Sequence, residues 1–378
     1  MEVLRYSGET PRARRACSNK QQPYSHRKKN VWIRVDPKER PKRNANRKEM
    51  LCKFWANGDC EKGDRCPDLH SWSHGDHVSV AATLRGHNQE VTGIAYPSRG
   101  DKLYSGSKDG TVRVWNCYTG QCERVINLGE AVYSLIHESP WIFIGMSNLV
   151  KAWNIQSGAK FRLDGPVGQV YAMIFDTNIL FAATQSGQIL AWKVNSKCET
   201  TNPFQPAISL EGHTRDVVCL TIARNMLYSG SMDGTIKKWD LGTFRCLTTV
   251  KGHSWAVMSL VCWDSFLVSC SLDGTIKAWA YTEEGSLKVC YTHEQQQGVL
   301  ALGGVNIPGK PNEERRHDIL LCSCQDNSVH LYELPSFKKK GRLFARQRIG
   351  SIHVQDGTGG LFFVGDGTGL ITVGKIAC

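Results

Sequence analysis

The chain has 378 residues, 41% hydrophobic and 22% charged, and a formal net charge of +12. That balance suits an ordinary globular chain with a substantial core. No apolar run approaches the 18 or so residues of a membrane-spanning helix, and the opening MEVLRYSGETPRARR holds no apolar stretch that could serve as a secretory signal, so neither feature is expected.

Cysteine usage agrees. The chain holds 15, an odd number, and most lie singly in apolar runs, as Cys219, Cys262 and Cys270 do. A reducing cytosol or nucleus lets such residues act as small buried hydrophobes, whereas a secreted scaffold would pair them.

Residues 1–50 contain 15 Lys/Arg against five Asp/Glu, so this segment carries +10 and the other 328 residues carry +2. It is rich in Arg, Lys, Asn and Pro and shows no helical or strand periodicity. A disordered basic arm is expected there, and only this arm suggests an anionic partner.

Residues 51–71 hold a different pattern. Cys52, Cys60, Cys66 and His70 read as C-x7-C-x5-C-x3-H. Three thiolates and one imidazole form a closed tetrahedral shell, so one structural Zn(2+) is expected, with no open coordination position for catalysis. A module this small cannot bury enough surface to fold alone, and the metal must supply the folding energy. Asn57-Gly58-Asp59 and Lys62-Gly63-Asp64 place turn formers between the ligands. Residues 72–78 read as a linker.

Residues 79–378 change character, to short Val/Ile/Leu/Tyr-rich runs broken by Gly, Asp and Ser. YSGSKDGTVRVWN (104–116), YSGSMDGTIKKWD (228–240) and VSCSLDGTIKAWA (268–280) are copies of one unit: a strand, an Asp-Gly turn and a second strand ending at Trp. Weaker copies occur at 144–154, 182–193, 322–333 and 363–375. The closing positions are Trp115, Trp153, Trp192, Trp239, Trp279, Tyr332 and Gly374. Their steps of 38, 39, 47, 40, 53 and 42 sit near the length of a four-stranded propeller blade. The two long steps contain the loop-like insertions 195–206 and 306–318. Seven copies predict an all-β, seven-bladed propeller. SVAATLRG (79–86) is expected to supply the outer strand of the last blade and close the ring, with the chain stopping just after that blade's third strand.

Gly86-His87, Gly212-His213 and Gly252-His253 complete a resemblance to the WD-repeat family. In that family a histidine, a strand Ser, the turn Asp and the Trp share one buried hydrogen-bonded network. The matching sets are His87, Ser105, Asp109, Trp115; His213, Ser229, Asp233, Trp239; and His253, Ser269, Asp273, Trp279. Three Ser/His/Asp sets at blade spacing describe architecture rather than an active site.

The order of basic segment, finger and repeats, with CKFWANGDCEKGDRCPDLHSW and VMSLVCWDSFLVSCSLDGTIKAW, resembles the plant ZFWD family of CCCH-and-WD-repeat proteins. That resemblance implies zinc, nucleic-acid binding and a nuclear location. Two departures stand out. CCCH fingers usually stack RNA bases on aromatics two residues after the second and third cysteines, and here Lys62 and Asp68 occupy those positions. Phe54, Trp55 and Trp72 are the nearby aromatics, with Phe54 or Trp55 as packing material. Gly374 replaces the final Trp.

The expected function is a non-enzymatic nuclear scaffold, with cytoplasmic presence also allowed. It binds RNA, or less favourably DNA, through arm plus finger, and proteins through the propeller. No membrane or small-molecule substrate is expected. The alternative is a pure protein-interaction adaptor whose finger makes protein contacts. A ubiquitin-ligase substrate receptor ranks lower, because Leu241-Gly242 rather than x-Arg follows Trp239-Asp240. No nucleotide-binding loop, nucleophile elbow or metal-hydrolase motif occurs, so the chain does not read as an enzyme.

Overall fold

Each strong copy folds around its Asp-Gly turn. At Gly234 the backbone turns with φ at 79°, a left-handed conformation that glycine adopts without a side-chain clash. The Asp233 carboxylate accepts from the Thr235 N–H at 2.9 Å and locks the turn. The computed structural model describes residues 50–75, 77–97, 100–195, 202–283, 285–307, 317–355 and 360–376. Of the basic arm only Met50 is described, and half of the 195–206 insertion and most of the 306–318 insertion lie outside the described residues.

A short helix, α1 (Lys53–Asn57), opens the finger, followed by a 3-10 turn at Gly63–Arg65. Two strands lead onward, β1 (Ser73–His74) and β2 (Val78–Leu84). The first copy is β3 (Val91–Ala95), β4 (Lys102–Ser107), β5 (Thr111–Asn116) and β6 (Cys122–Asn127). The second and third copies share β7 (Ser134–Glu138), β8 (Trp141–Asn154), β9 (Lys160–Asp176), β10 (Ile179–Thr184), β11 (Ile189–Val194) and β12 (Phe204–Leu210). Next come β13 (Val217–Ala223), β14 (Met226–Ser231), β15 (Thr235–Asp240) and β16 (Cys246–Lys251). The fifth copy is β17 (Val257–Trp263), β18 (Phe266–Ser271), β19 (Thr275–Tyr281) and β20 (Leu287–Glu294). The sixth is β21 (Val299–Ile307), β22 (His317–Cys324), β23 (Ser328–Leu334) and β24 (Lys338–Phe344). The last is β25 (Ile349–Val354), β26 (Leu361–Asp366) and β27 (Ile371–Ile376).

These strands form six antiparallel sheets, so the expected seven-bladed propeller is corrected to a six-bladed one. The seven sequence copies remain, but the second and third occupy a single six-stranded sheet, β7 to β12. The reason is local. The second copy lacks the Asp-Gly turn and has Ser147-Asn148 instead, so β8 runs on unbroken. Its first half pairs with β7, as Leu135 with Ile144, and its second half with β9, as Trp153 with Lys160. β9 then continues through Gly165–Gly168 and pairs with β10, as Asp176 with Ile179. No coil separates the two repeats, and one ladder joins them.

The ring closes as the chain order requires. β2 pairs with β27 from Val78↔Ile376 to Leu84↔Ile371, which gives the last sheet its outer strand. β25 lies beside β3, bringing the last sheet against the first. The core sits between the sheets: Leu103, Trp115 and Ile371, for example, pack in one cluster with Leu84 and Val91. Such inter-sheet layers are the main stabilising term, because apolar area leaves water on both faces of each sheet.

The three buried networks form as the spacing implies. Trp115 Nε1–H donates to Ser105 Oγ at 2.8 Å, and His87 Nε2 lies 2.8 Å from the same hydroxyl. His87 Nδ1 lies 2.9 Å from Asp109 Oδ2. With the hydroxyl proton turned to Nε2, Nδ1–H donates to the carboxylate and the imidazole is neutral, the form that burial favours at His87. The other two sets repeat these contacts, with His213–Asp233 at 2.9 Å and His253–Asp273 at 3.0 Å. Ser105, Ser229 and Ser269 are fully buried, so these serines are architectural and reach no substrate.

Candidate metal centre

Cys52 begins the finger as the N-cap of α1, its Sγ accepting from the Trp55 N–H at 3.4 Å. That hydrogen bond brings the thiol down to about 7, against the opposing effect of burial. Gly58 ends the helix at φ 92°, and the chain turns back toward Cys60. Leu51 and Leu69 form a parallel bridge, and the Cys52 N–H donates to Leu69 O at 3.0 Å. This bridge carries the fourth ligand position, His70, back to the first.

The result is one cluster. The donor atoms of Cys52, Cys60, Cys66 and His70 all lie within 4.8 Å of one another. The Cys52 and Cys66 sulfurs are 3.6 Å apart. Two thiolates about 2.3 Å from a tetrahedral zinc lie about 3.8 Å apart, so the spacing fits. His70 Nε2 is buried and has no hydrogen-bond partner, as expected of a ring nitrogen reserved for a metal. At Cys66 the Asp68 N–H favours the thiolate, but burial and the neighbouring thiols outweigh it and raise the group, which is the strain a cation would relieve. The residues present therefore fit a zinc ion.

Aromatic residues carry the finger onto the propeller. Trp55 stacks on His70 with ring centroids 5.7 Å apart and planes 11° apart. Trp72 leans on Trp55 at 5.6 Å. Trp55 is thus packing material, whereas Phe54 is 69% exposed. Within the 72–78 linker, β1 pairs with β24, Ser73 opposite Leu343 and His74 opposite Arg342. The Phe344 N–H donates to Trp72 O at 2.9 Å. The finger's exit strand is therefore the fifth strand of the β21–β24 sheet and covers its outer edge.

A second cluster, Cys324, Asp326 and His330, also brings its donor atoms within 4.8 Å. There the Arg342 guanidinium already pairs with Asp326, and its Nε–H donates to Ser328 Oγ at 2.9 Å. Burial would raise Asp326, but His330, Ser328 and Arg342 bring it down to about 2. An arginine holds the place of a cation, so this cluster is a structural network. Gln295 Nε2–H donating to the Tyr332 hydroxyl at 2.6 Å stands in the same sheet where a His/Ser/Trp set stands elsewhere.

Comparison with known proteins agrees with this geometry. The family model described as "WD domain, G-beta repeat" matches residues 78–116, 204–240 and 244–280. "Zinc finger CCCH domain-containing protein 17" of Oryza sativa subsp. japonica is 52% identical over 323 residues, covering 85% of this chain and 72% of that protein. "Zinc finger CCCH domain-containing protein 48" of Arabidopsis thaliana is 53% identical over 334 residues, covering 88% and 75%. The chain belongs to the plant ZFWD family of CCCH-and-WD-repeat proteins. Among solved structures, the WD40 beta propeller domain of Doa1 superposes with a TM-score of 0.65 at 22% identity. It covers 79% of this chain and 96% of its own, and the likeness is one of fold alone.

In this ZFWD chain the four predicted ligands come together, and so do the three predicted networks. Sequence reasoning had Trp55 as one of two candidates for packing, and missed Arg342, Arg346 and the contact of Trp72 with Trp55. The only signal was the position of the two tryptophans, three residues after the first ligand and two after the last. The arginines have none, because their roles depend on where β1 docks.

Proposed function

We propose that this protein is a non-enzymatic nuclear scaffold that binds RNA through its basic arm and zinc finger and protein partners through its propeller. Cys52, Cys60, Cys66 and His70 hold one Zn(2+), which cross-links the finger and supplies no reaction chemistry. The carrying observation is the placement of the Cys3His cluster: it follows directly on the +10 segment and is tied to the propeller through β1. A basic segment beside a small fixed module suits a grip on phosphates, while a many-sided β ring suits protein contacts.

The finger itself is a weak phosphate binder. Between Cys52 and His70 its side chains sum to −1 before the metal is counted, and three thiolates with Zn(2+) add another −1. The arm must then supply most of the attraction. Crosslinking to RNA in cells, with and without residues 1–50, tests this. Loss of crosslinks on deletion is expected, and equal crosslinking without the arm refutes the assignment. Lys62 and Asp68, in place of stacking aromatics, favour a second reading, in which the finger contacts protein only. That reading predicts no crosslinks from either form.

A further inference from the structure

A cleft of about 470 Å³ opens between the finger and the β21–β24 sheet, within the size range of ligand sites. Its lining combines Trp72, the Lys53 and Arg346 cations, and the amides of Asn57, Asn327 and Gln347. The exposed Arg346 guanidinium lies over the Trp72 ring, 5.5 Å from its centroid. Among the described residues no carboxylate pairs with the Arg346 guanidinium, although the Arg346 backbone N–H donates to Asp366 Oδ2 at 3.3 Å; Arg342, deeper in the cleft, is paired with Asp326. Met50, the last residue of the +10 segment, also lines the cleft. The arm therefore joins the folded body at the mouth of this site.

We infer that the cleft is a nucleotide-binding subsite, in which a splayed base of a single-stranded nucleic acid enters beside Trp72 and Arg346 while Lys53 holds a flanking phosphate. The inference rests on the nucleic-acid reading above and moves its base contact from the finger to the junction. Stacking surfaces, cations and amides are the groups that recognise an unpaired base, its phosphate and its polar edge. This explains how the chain dispenses with aromatics at Lys62 and Asp68. An extended peptide finds less here, because β1 already occupies the sheet edge to which a peptide strand would add.

The test uses the full zinc-loaded chain and fluorescence anisotropy with labelled oligouridylate, and with oligothymidylate to separate RNA from DNA. Arg346→Gln and Trp72→Leu should each weaken binding by about five-fold or more, the scale of one lost stacking contact. Trp72→Phe should keep most of the affinity and lose the part of the tryptophan quenching that binding causes. An exposed cation elsewhere, Arg162→Gln, should bind as wild type. Zinc content and melting temperature serve as folding controls, and exposed Arg346 carries the test if Trp72→Leu fails them. Wild-type affinity in both cleft variants, with loss on removing the arm, overturns the cleft and leaves the arm reading intact. Absence of binding by the wild type overturns both. Competition by polyglutamate as strong as by oligouridylate reduces the cleft to an acidic-peptide or charge site and overturns the nucleotide assignment.

Discussion

Phe362 stands directly across the ladder from Gly374, and its ring fills the space where the other copies carry a closing aromatic. A Cβ added at Gly374 would overlap that ring. In the strong copies the same pair is Leu with Trp: Leu103 with Trp115, Leu227 with Trp239, Leu267 with Trp279. The large and small residues have exchanged strands, so the layer stays filled although the closing Trp is absent. Phe362 is fully buried.

That exchange predicts strong coupling. Phe362→Leu should cost about 1–2 kcal/mol, less than the 3–5 of a truncation to alanine. Gly374→Trp alone should cost about 1–3 kcal/mol through overpacking. The double variant should recover part of the sum, because Leu opposite Trp is the arrangement of the other copies. Recovery stays incomplete: Val364 stands where Ser accepts the indole N–H elsewhere. Urea unfolding of all four proteins gives the coupling, and strict additivity would refute the exchange.

Asp233→Ala removes the acceptor used by His213, Thr235 and the Thr214 N–H. A loss of about 1–3 kcal/mol is expected for such orphaned groups. Ser186, at the equivalent turn of the third copy, is exposed and bonds Thr184 Oγ1 at 2.8 Å. Ser186→Ala should therefore stay within about 0.5 kcal/mol of wild type. Equal shifts in melting temperature would count against the assignment of the buried networks.

Acid should destabilise the propeller in two stages. Burial, opposed by Asp109 and Asp273, lowers His87 and His253 below the ordinary 6.5. The unfolded chain then binds more protons as pH falls through 6.5, so stability declines there and this contribution levels off below the folded values. At Asp109 and Asp273 burial would raise the carboxyls, but hydrogen bonds led by Thr111 and Thr275 hold them below 3.8. Their stabilisation is present above 3.8 and is lost as pH falls toward the folded values. Melting temperature against pH should show the first decline between about 7 and 5, and His87→Gln should flatten it. A melting temperature that rises over that interval contradicts the neutral-imidazole geometry.

Elemental analysis should find one zinc per chain. Cys60→Ser should release it, and chelation should alter the near-ultraviolet signal of Trp55 and Trp72 while the main propeller transition persists. Retention of the finger signal in excess chelator would remove the structural role of the metal.

The arm should dominate the salt dependence of nucleic-acid binding. Four to six engaged side chains give a slope of roughly −3 to −4 in log K against log salt on a single strand. Deleting residues 1–48 should remove most of that slope. In cells it should also abolish nuclear accumulation, since Arg27-Lys28-Lys29 and the Lys38–Lys48 stretch are the basic clusters suited to import. A deletion that still concentrates in the nucleus refutes the second claim without touching the first.

The repeat unit, the buried His/Ser/Asp/Trp sets and the Cys3His cluster were legible from sequence, because each depends on short spacings or on residue types repeated at blade intervals. Asp233 must be paired wherever it is buried near Trp239, and three thiols with an imidazole at finger spacing have few uses besides a metal. The closing strand was legible too, since β2 could pair only with an edge left open at the other end of the chain. The tertiary structure alone decided how copies divide into sheets. Copies two and three share one sheet because β8 and β9 run through their boundary, each pairing with one neighbouring strand along one half and with another along the other half. It alone docked β1 on β24 and set Arg346 over Trp72. Those contacts join positions far apart in the chain and exist only once the ring has closed, so no local pattern carries them.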